Sequence, residues 1–329
     1  MIKTEFFRNK RILITGGLGF IGSNLAGQLV NLGANVTVVD SLISEYGGNL
    51  FNINGLEDKV NINISDVRDE YSMKYLIQDH DYLFNLAGQT SHMDSMDKPI
   101  IDLEINSKAQ LSILEACRQY NSKIKVIFAS TRQIYGRPQY LPVDENHPIK
   151  PVDVNGINKV AGEWYHILYN NVYGISTCVL RLTNTYGPRM RIKDDRQTFL
   201  GIWIRSIIEG ENIEVWGGTQ LRDFNYVDDC IDAMLIAAER DEVKGQIYNL
   251  GANPPISLKD LANMLIKINK KGKYILRSFP KARKKIDIGD YYSDYKKFSN
   301  CMNWHPKVGL QEGLRKTLKY YKKYLKYYI

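Results

Sequence analysis

Thr15-Gly16-Gly17-Leu18-Gly19-Phe20-Ile21-Gly22 is the stretch that decides the fold of this chain. It follows the apolar run Arg11–Ile14, which is typical of a buried strand. It precedes residues 23–32, whose apolar positions recur at helical spacing before a stop at Gly33. This order predicts a strand, a glycine-rich turn and a helix.

Three glycines of this turn each have a physical role in binding a phosphate. Gly16 permits a tight turn, Gly19 lets a pyrophosphate approach the backbone, and Gly22 lets the helix pack closely on the strand. The free N–H groups and the positive dipole end of the helix favour the same anion. A second strand, residues 35–39, ends at Asp40, about 20 positions further on, where a carboxylate accepts a hydrogen bond from adenosine ribose. Because this carboxylate repels a 2′-phosphate, the sequence predicts NAD rather than NADP.

Strands and helices keep alternating after Asp40, which indicates a doubly wound parallel sheet. We therefore predict an α/β fold in which residues 1–182 form a Rossmann-type NAD-binding domain. The alternation loosens beyond Asn184, so residues 183–219 and 259–329 are predicted to form a smaller C-terminal substrate-binding lobe. Residues 220–258 are expected to pack back onto the first domain.

Small and polar residues follow the predicted strands at their carboxyl ends, where ligands bind in doubly wound sheets. Residues 60–64 lead to Asp66, whose side chain can reach an adenine amino group, and the strand 82–88 ends in small residues. The predicted cofactor-binding residues are Gly16, Gly19, Phe20, Ile21, Gly22, Asp40, Asp66, Val67, Leu86, Ala87 and Gly88.

Composition and charge argue against several other classes of protein. No apolar run approaches the ~18 residues that span a bilayer, and residues 1–5 lack a signal-peptide core, so we expect a cytoplasmic protein without a membrane partner. The cysteines are scattered singly, which suits neither a metal site nor a disulfide framework: Cys117, Cys178, Cys230 and Cys301. Much of the net charge of +8 lies in residues 281–285 and 316–326. We interpret these runs as solvated helix faces, because nothing else in the chain favours nucleic acid.

Several motifs, in order and over nearly the whole length, resemble the extended short-chain dehydrogenase/reductases. The resemblance is specifically to the nucleotide-sugar epimerase/dehydratase family. The glycine turn matches the family fingerprint, Ser130–Gly136 its catalytic strand end, and Asn155–Lys159 its catalytic helix. Arg181–Pro188 and Gln220–Asp229 match the segments whose Asn and Arg contact the sugar diphosphate in that family.

The resemblance implies an enzyme that uses NAD to oxidise a sugar hydroxyl, often at C4, to a ketone. A nucleotide-sugar 4-epimerase is the first expectation, an NAD-dependent C4 dehydrogenase or reductase the second, and a catalytically silent nucleotide-sugar or NAD-binding protein the third. Lys159 is expected to hold the nicotinamide ribose. The implied substrate-binding residues are Gln89, Thr131, Arg132, Asn184, Arg189, Trp216, Arg222 and Asp290.

The catalytic helix departs from the family pattern at one position. The family has Tyr four residues before Lys, where its phenolate removes the hydroxyl proton, and this chain has Asn155. A carboxamide cannot titrate, so the proton acceptor must be Lys159, a water or His92, with Thr131 orienting the reacting hydroxyl. Asn155, Thr131, Lys159 and His92 are the candidate catalytic residues.

Two further features bear on reaction type and assembly. Dehydratases of the family carry an acidic pair after the catalytic Thr, and Arg132 and Gln133 stand there instead, which argues against dehydration. The segments 101–120 and 155–173 carry more apolar and aromatic residues than one buried stripe requires. Because the family pairs these helices across a two-fold axis, we expect a homodimer.

Overall fold

Seven parallel strands form the central sheet of the computed structural model. The model describes residues 5–329, except for the side chains of Ser44, Ala282 and Arg283. The strands are β1 (Arg11–Thr15), β2 (Asn35–Asp40), β3 (Val60–Ile64), β4 (Tyr82–Asn85), β5 (Lys125–Thr131) and β6 (Thr177–Leu182), and the seventh is a later strand, Gln246–Asn249. Between β6 and that strand come β7 (Asn184–Tyr186), β8 (Ile213–Trp216), β9 (Leu221–Arg222) and β10 (Phe224–Tyr226), so Gln246–Asn249 is β11. The sheet order is β11-β6-β5-β4-β1-β2-β3, which confirms the predicted Rossmann-type doubly wound sheet.

Helices cover both faces of this sheet. The first eight helices of the chain are α1 (Phe20–Asn31), α2 (Glu70–Ile77), α3 (His92–Asp97), α4 (Pro99–Leu103), α5 (Ala109–Tyr120), α6 (Val154–Tyr173), α7 (Phe199–Glu209) and α8 (Val227–Glu239). Alternation along β1 divides the core: Ile12 and Ile14 face one hydrophobic cluster and Leu13 faces another. This division is the period of two that a strand imposes on side chains buried on both faces.

The remaining elements are the last two strands and the last four helices. They are β12 (Ile256–Ser257), α9 (Leu258–Asn269), β13 (Tyr274–Arg277), α10 (Lys281–Ile286), α11 (Lys296–Met302) and α12 (Leu310–Tyr324). β10 pairs with β7, β12 with β9 and β13 with β8. Because β11 joins the main sheet and the larger core cluster runs from β1 into α12, the chain has no sharp break in its core, and the domain boundaries stay a prediction.

The segment between α4 and α5 is wound as a π-helix, Glu104–Lys108. The sequence predicted one helix over residues 101–120, and the structure has a helical run over 99–120 that this π segment interrupts. Such segments occur often at functional sites, and this one begins two residues after the buried Asp102.

The tyrosines near residue 320 pack inward. The Tyr321 hydroxyl donates to the carbonyl oxygen of Met190 at 2.6 Å, and the Phe51 and Tyr327 rings stack with centroids 3.8 Å apart. The Tyr328 hydroxyl donates to Asn52 Oδ1 at 2.7 Å. These rings therefore serve packing. In the described part of the chain, no helix combines the length and apolarity that crossing a membrane would require.

Candidate active site

The glycine turn after β1 has the shape that the sequence predicted. Gly16 has a φ of +68°, and a Cβ built on it would lie 3.0 Å from the Ala87 nitrogen, so only glycine fits without strain. A Cβ on Gly22 would overlap the carbonyl oxygen of Gly16, and one on Gly17 would overlap the Val38 side chain. The fixed position of Gly17 is a constraint that the spacing of the motif did not reveal.

The start of α1 is open to an anion. Gly19 is its N-cap, so no side chain caps the helix, and its first turn holds no acidic residue. The first N–H groups of a helix lack intrahelical partners, and the helix dipole makes that end positive. The local structure therefore supplies donors to a phosphate and nothing that repels one.

A cavity of about 850 Å³, including space open to solvent, lies in front of this turn. All eleven residues predicted from strand ends and glycine spacing line it: Gly16, Gly19, Phe20, Ile21, Gly22, Asp40, Asp66, Val67, Leu86, Ala87 and Gly88. Tyr46 and Gln197 line it as well, and no motif in the sequence marked them. The structure thus brings the predicted cofactor residues together in one cavity, although their individual contacts with a cofactor stay a prediction.

Asp40 lies at the end of β2 with both carboxylate oxygens hydrogen-bonded. It accepts from the backbone nitrogens of Leu18 at 3.1 Å and Leu42 at 3.0 Å. Burial raises the pKa of this carboxyl, and the backbone donors oppose that shift. Since each carboxylate oxygen accepts more than one hydrogen bond, Asp40 ties the glycine turn to the loop after β2 and can still accept from a ribose.

Asp66 is held by Arg68, whose Nη2 lies 2.7 Å from Oδ2. Burial acts to raise the pKa of the Asp66 carboxyl, but the hydrogen bonds from Arg68 outweigh it, so the pKa lies below its ordinary value. Asp66 is therefore an ionised acceptor at the edge of the cavity.

Lys159, on α6, lies beside two residues that line the cavity. Its Nζ donates to the carbonyl oxygen of Ala129 at 3.1 Å, and a Cβ on Gly88 would lie 3.1 Å from the same nitrogen. Burial lowers the pKa of Lys159 to about 8, against the attraction of Asp102 and Glu163. The ammonium thus lies beside two cavity residues, Gly88 and Ala129, and its contact with a ribose stays a prediction.

Asn155, at the position of the family's Tyr, is buried and turned inward. Its Nδ2 donates to the carbonyl oxygen of Gln89 at 2.8 Å and to Asp102 Oδ2 at 3.1 Å. Asp102 also accepts from Asn106 at 3.0 Å and from Asn158 at 2.7 Å, and it is fully buried. Asp102 and the three asparagines that donate to it, Asn106, Asn155 and Asn158, are called the Asp102 network below. Sequence reasoning missed it, because an isolated Asp on a helix carries no signal of its partners.

Thr131 and His92 lie at the end of a strand and at the start of a helix. Thr131 ends β5, and its Oγ1 accepts from the Gln133 nitrogen at 3.2 Å. His92 begins α3, and its Nδ1 lies 3.0 Å from Oδ2 of Asp153, the N-cap of α6. His92 therefore contacts the start of α6, and Thr131 lies at the carboxyl end of β5; their catalytic roles stay predictions.

Arg132, Asn184 and Arg222 form a basic cluster beyond Thr131. Arg132 Nη2 donates to Asn184 Oδ1 at 2.8 Å, and its guanidinium carbon lies 5.3 Å from the ring centroid of Tyr291. Arg222 donates to the carbonyl oxygen of Gly289 and lies 3.4 Å from Asp287 Oδ1. Burial, followed by the neighbouring charge of Arg132, lowers the pKa of Arg222 to about 10. Two guanidinium groups that repel each other in a partly buried cluster favour an anionic ligand.

The other predicted substrate residues are held by the protein itself. Gln89 is buried, and its Nε2 donates to the Ser91 carbonyl oxygen at 2.8 Å. Arg189 donates to the Ser23 carbonyl oxygen on α1 at 2.9 Å, which uses its guanidinium away from the basic cluster. Asp290 accepts from the Leu221 nitrogen at 2.9 Å, and the Trp216 ring packs edge-on against Phe279. Their roles toward a substrate remain predictions.

Comparisons with known proteins agree with this geometry. A family model described as the NAD dependent epimerase/dehydratase family matches residues 12–251. The Methanocaldococcus jannaschii protein named "Putative UDP-glucose 4-epimerase" is 35% identical over 315 residues, covering 94% of this chain and 98% of that protein.

Two solved structures are similar over almost their whole length. The Thermotoga maritima UDP-glucose 4-epimerase with UDP-glucose superposes with a TM-score of 0.88 at 31% identity, covering 96% of this chain and 99% of that one. The Thermus thermophilus UDP-glucose 4-epimerase complex with NAD gives 0.85 at 28% identity, covering 95% and 99%. With its glycine turn, its cavity and a family match over most of its length, the chain belongs to the NAD-dependent epimerase/dehydratase family, whose cofactor is NAD.

Proposed function

We propose that this enzyme is a 4-epimerase of nucleoside-diphosphate sugars that works through a 4-keto intermediate. One observation carries the proposal: Gly88 and Ala129, which line the cavity in front of the glycine turn, lie beside the Lys159 ammonium, and Ala129 is followed along the chain by Thr131 and by Arg132 of the basic cluster. A cofactor site, an oriented cation and an anion-binding cluster on one edge of the sheet are what oxidation of a nucleotide sugar requires.

The residues present fit NAD. Gly16 and Gly22 leave no room for side chains at the turn, the α1 N-terminus is uncapped, and the buried Oδ1 of Asn106 lacks a partner beside Gly88. When bound, NAD accepts a hydride from the sugar and can return it. The chain's own work is to hold the pyrophosphate at α1, the adenosine ribose at Asp40 and the nicotinamide ribose at Lys159.

The substrate is proposed to lie across the edge of β5 and β7. Thr131 would orient the hydroxyl that is oxidised, and Asn184 and Arg222 would hold the diphosphate. Arg132 and Gln133 occupy the places of the dehydratase acids and supply no carboxylate, so the proposal excludes water elimination as the main reaction.

A second candidate function is an NAD-dependent C4 dehydrogenase or reductase. It is favoured by Asn155, which is 2% exposed and committed to Gln89 and Asp102, so the phenol that serves both hydride steps in the family is missing. A dehydrogenase or reductase transfers hydride once per cycle, so it moves the hydroxyl proton once, whereas an epimerase must remove that proton and return it.

The activity test is to mix the purified enzyme with nucleoside-diphosphate sugars and follow both the absorbance of NADH and the sugar configuration. A changed sugar without net NADH supports the epimerase. Lasting NADH, or its consumption with a 4-keto sugar, supports the dehydrogenase or reductase. No response with any sugar nucleotide would show a catalytically silent binding protein and overturn both proposals.

Arg222→Ala is expected to raise the substrate KM by about 10–100-fold and leave NAD affinity within twofold, because a hydrogen bond to a charged group contributes ~1.5–3 kcal/mol. Steady-state kinetics and calorimetry with NAD measure the two effects. Arg277→Ala is the matched control, since Arg277 is an exposed arginine 3.2 Å from Glu214. Equal losses of NAD and substrate affinity would contradict the assignment.

We also propose that the enzyme is a cytoplasmic homodimer. Four apolar side chains on α6 are more than half exposed and recur at helical spacing, Ile157, Trp164, Leu168 and Val172. An exposed apolar patch of this kind marks an interface, and the adjacent α4 adds Ile100. Pairing these helices with their copies about a two-fold axis would bury the patch.

The double substitution Trp164→Glu and Leu168→Lys is expected to convert the dimer to a monomer at micromolar concentration. Light scattering coupled to size exclusion measures the mass. Tyr71→Glu is the matched control, because Tyr71 is 83% exposed on α2, a helix that is not one of those proposed to pair. A wild-type protein that is monomeric at this concentration would disprove the proposal.

A further inference from the structure

We infer that His92, oriented by Asp153, is the group that accepts and returns the proton of the reacting sugar hydroxyl. The inference rests on the proposed function and identifies the residue that replaces the missing phenol. His92 would be a catalytic residue and Asp153 its positioning residue.

Asp153 is built into the start of the catalytic helix. Its Oδ1 accepts from the Gly156 nitrogen at 2.7 Å as the N-cap of α6, and its Oδ2 accepts from Gln133 Nε2 at 2.8 Å. The residue is 3% exposed. A carboxylate held by two elements in this way cannot swing away, so it is a fixed partner for His92.

The ring of His92 faces this carboxylate with one nitrogen. Its Nδ1 lies 3.0 Å from Asp153 Oδ2. Although burial acts to raise the pKa of Asp153, the contact with His92 and the hydrogen bonds from Gly156 and Gln133 hold it below its ordinary value. The Nδ1–Oδ2 pair is short but is not aligned as a hydrogen bond in this structure. An ionised carboxylate has only lone pairs to offer, and two facing lone pairs would repel at this distance, so we assign the proton of the neutral ring to Nδ1 and the lone pair to Nε2.

Among the side chains that the structure describes, none is hydrogen-bonded to Nε2, and the His92 side chain is 36% exposed. A neutral imidazole with a free lone pair is a general base, and an adjacent carboxylate both fixes its tautomer and stabilises the imidazolium that forms.

The dyad lies among the segments that carry the reacting groups. Asp153 precedes Asn155 by two residues, Gln133 follows Thr131 by two, and His92 follows the cavity residue Thr90 by two. The contacts of Asp153 with His92 and Gln133 draw the three segments together at one point.

The other polar side chains near His92 are already hydrogen-bonded or ion-paired to other groups, or are weak bases. The amide of Asn155 and the carboxylate of Asp102 belong to the Asp102 network. Lys159 donates to Ala129 from a buried position. On α3 itself Asp94 lies 3.0 Å from Arg196, and the hydroxyl of Thr131 is a weak base unaided. Within the described residues of this region, His92 is the titratable side chain with a free nitrogen.

The step balances as follows. The C4–H bond breaks with its electron pair passing as hydride to NAD, the O–H bond breaks with its proton passing to Nε2, and the C4=O bond forms. The positive charge of the imidazolium is offset by Asp153. In the return step His92 gives back the proton as hydride is returned to the ketone.

The test is His92→Asn against His305→Asn, an exposed histidine bound to Ser299 at 3.1 Å. Loss of a placed acid–base group costs ~10²–10⁴-fold, so kcat should fall by that amount for His92→Asn, with KM and NAD affinity within threefold and an unchanged melting temperature. His305→Asn should behave as wild type. Added imidazole should restore part of the turnover of His92→Gly, which a purely structural role of His92 would not allow.

Asp153→Asn tests the positioning residue. Asparagine also caps helices well, so α6 should persist while kcat falls at least tenfold and KM stays constant. Asp69→Asn, at the N-cap of α2, controls for the changed cap and should leave kcat unaltered. A His92→Asn turnover within twofold of wild type, a lack of imidazole rescue, or equal behaviour of Asp153→Asn and Asp69→Asn would each overturn the dyad alone. A wild type that moves no hydride to or from any sugar nucleotide would overturn the proposed function and the dyad with it.

Discussion

Lys159→Met lowers kcat by about 10²–10³-fold in our expectation, the loss that follows removal of one preorganised donor from a site. Methionine keeps the length and apolar stem of the side chain but not the ammonium. The donor to Ala129 disappears, and with it the hydrogen bond proposed for the nicotinamide ribose. Stopped-flow measurement of hydride transfer separates this loss from any change in substrate binding.

Lys125→Met is the matched control. The Lys125 ammonium also donates to backbone carbonyl oxygens, those of Ala238 and Arg240, and burial lowers its pKa to about 8 as well. It lies at the start of β5, at the opposite end of that strand from Thr131. A comparable fall in kcat for both variants would mean that turnover responds to buried lysines generally, and the role of Lys159 would be wrong.

The lowered pKa of Lys159 gives this prediction a pH dependence. Because the ammonium is the form that acts, kcat/KM should decline as the pH rises through about 8. The sign for stability is opposite. The folded pKa lies below the value of an unfolded lysine, so between that pH and ~10.4 the unfolded chain binds more protons and the free energy of unfolding rises with pH.

Asn155→Tyr, which restores the family's phenol, is expected to lower both stability and turnover. The Asn155 amide is 2% exposed and donates to Asp102 and Gln89. Tyrosine removes these donors and adds volume to a packed site, and the two effects together cost about 2–5 kcal/mol. Differential scanning fluorimetry should show a melting temperature several degrees lower, and kcat should fall at least tenfold as Asp102 and Gln89 shift.

Asn155→Leu separates the two causes, because it removes the donors without adding a phenol. We expect Asn155→Leu to lower both the melting temperature and kcat, because the hydrogen bonds to Asp102 and Gln89 are lost in this variant too. A rise in turnover for Asn155→Tyr would contradict this account. It would mean that the native site lacks any base and that the Asp102 network serves only packing.

Sequence patterns predicted the parts of this molecule that depend on local order. The glycine spacing from Gly16 to Gly22 and the acid at Asp40 fix a strand–turn–helix unit and its ligand, because each residue acts through its own backbone or through the next strand. The central sheet followed from the alternation of apolar runs. The strand–turn–helix unit and the sheet are both confirmed.

Such patterns could not predict the direction in which a long side chain points. Arg189 belongs to a basic loop that could have faced a phosphate, yet it reaches α1 at Ser23. Asn155 reads as a vacant catalytic position, but it is a donor to Asp102, which is 53 residues away along the chain. Contacts between side chains distant in sequence depend on how loops pack over the sheet, and single positions carry no record of that packing.

The amide of Asn52 has one further consequence. It donates to the Leu18 carbonyl oxygen at 2.8 Å and accepts from Tyr328 at 2.7 Å, so it bridges the glycine turn and a residue four positions beyond the end of α12. Substitutions at 52 and 328 should therefore be epistatic: once either is lost, the second costs little, because the bridge is already broken. The fitness of a change at position 328 would then depend on the residue at position 52, 276 residues earlier in the chain, and the two positions should drift together in evolution as one unit.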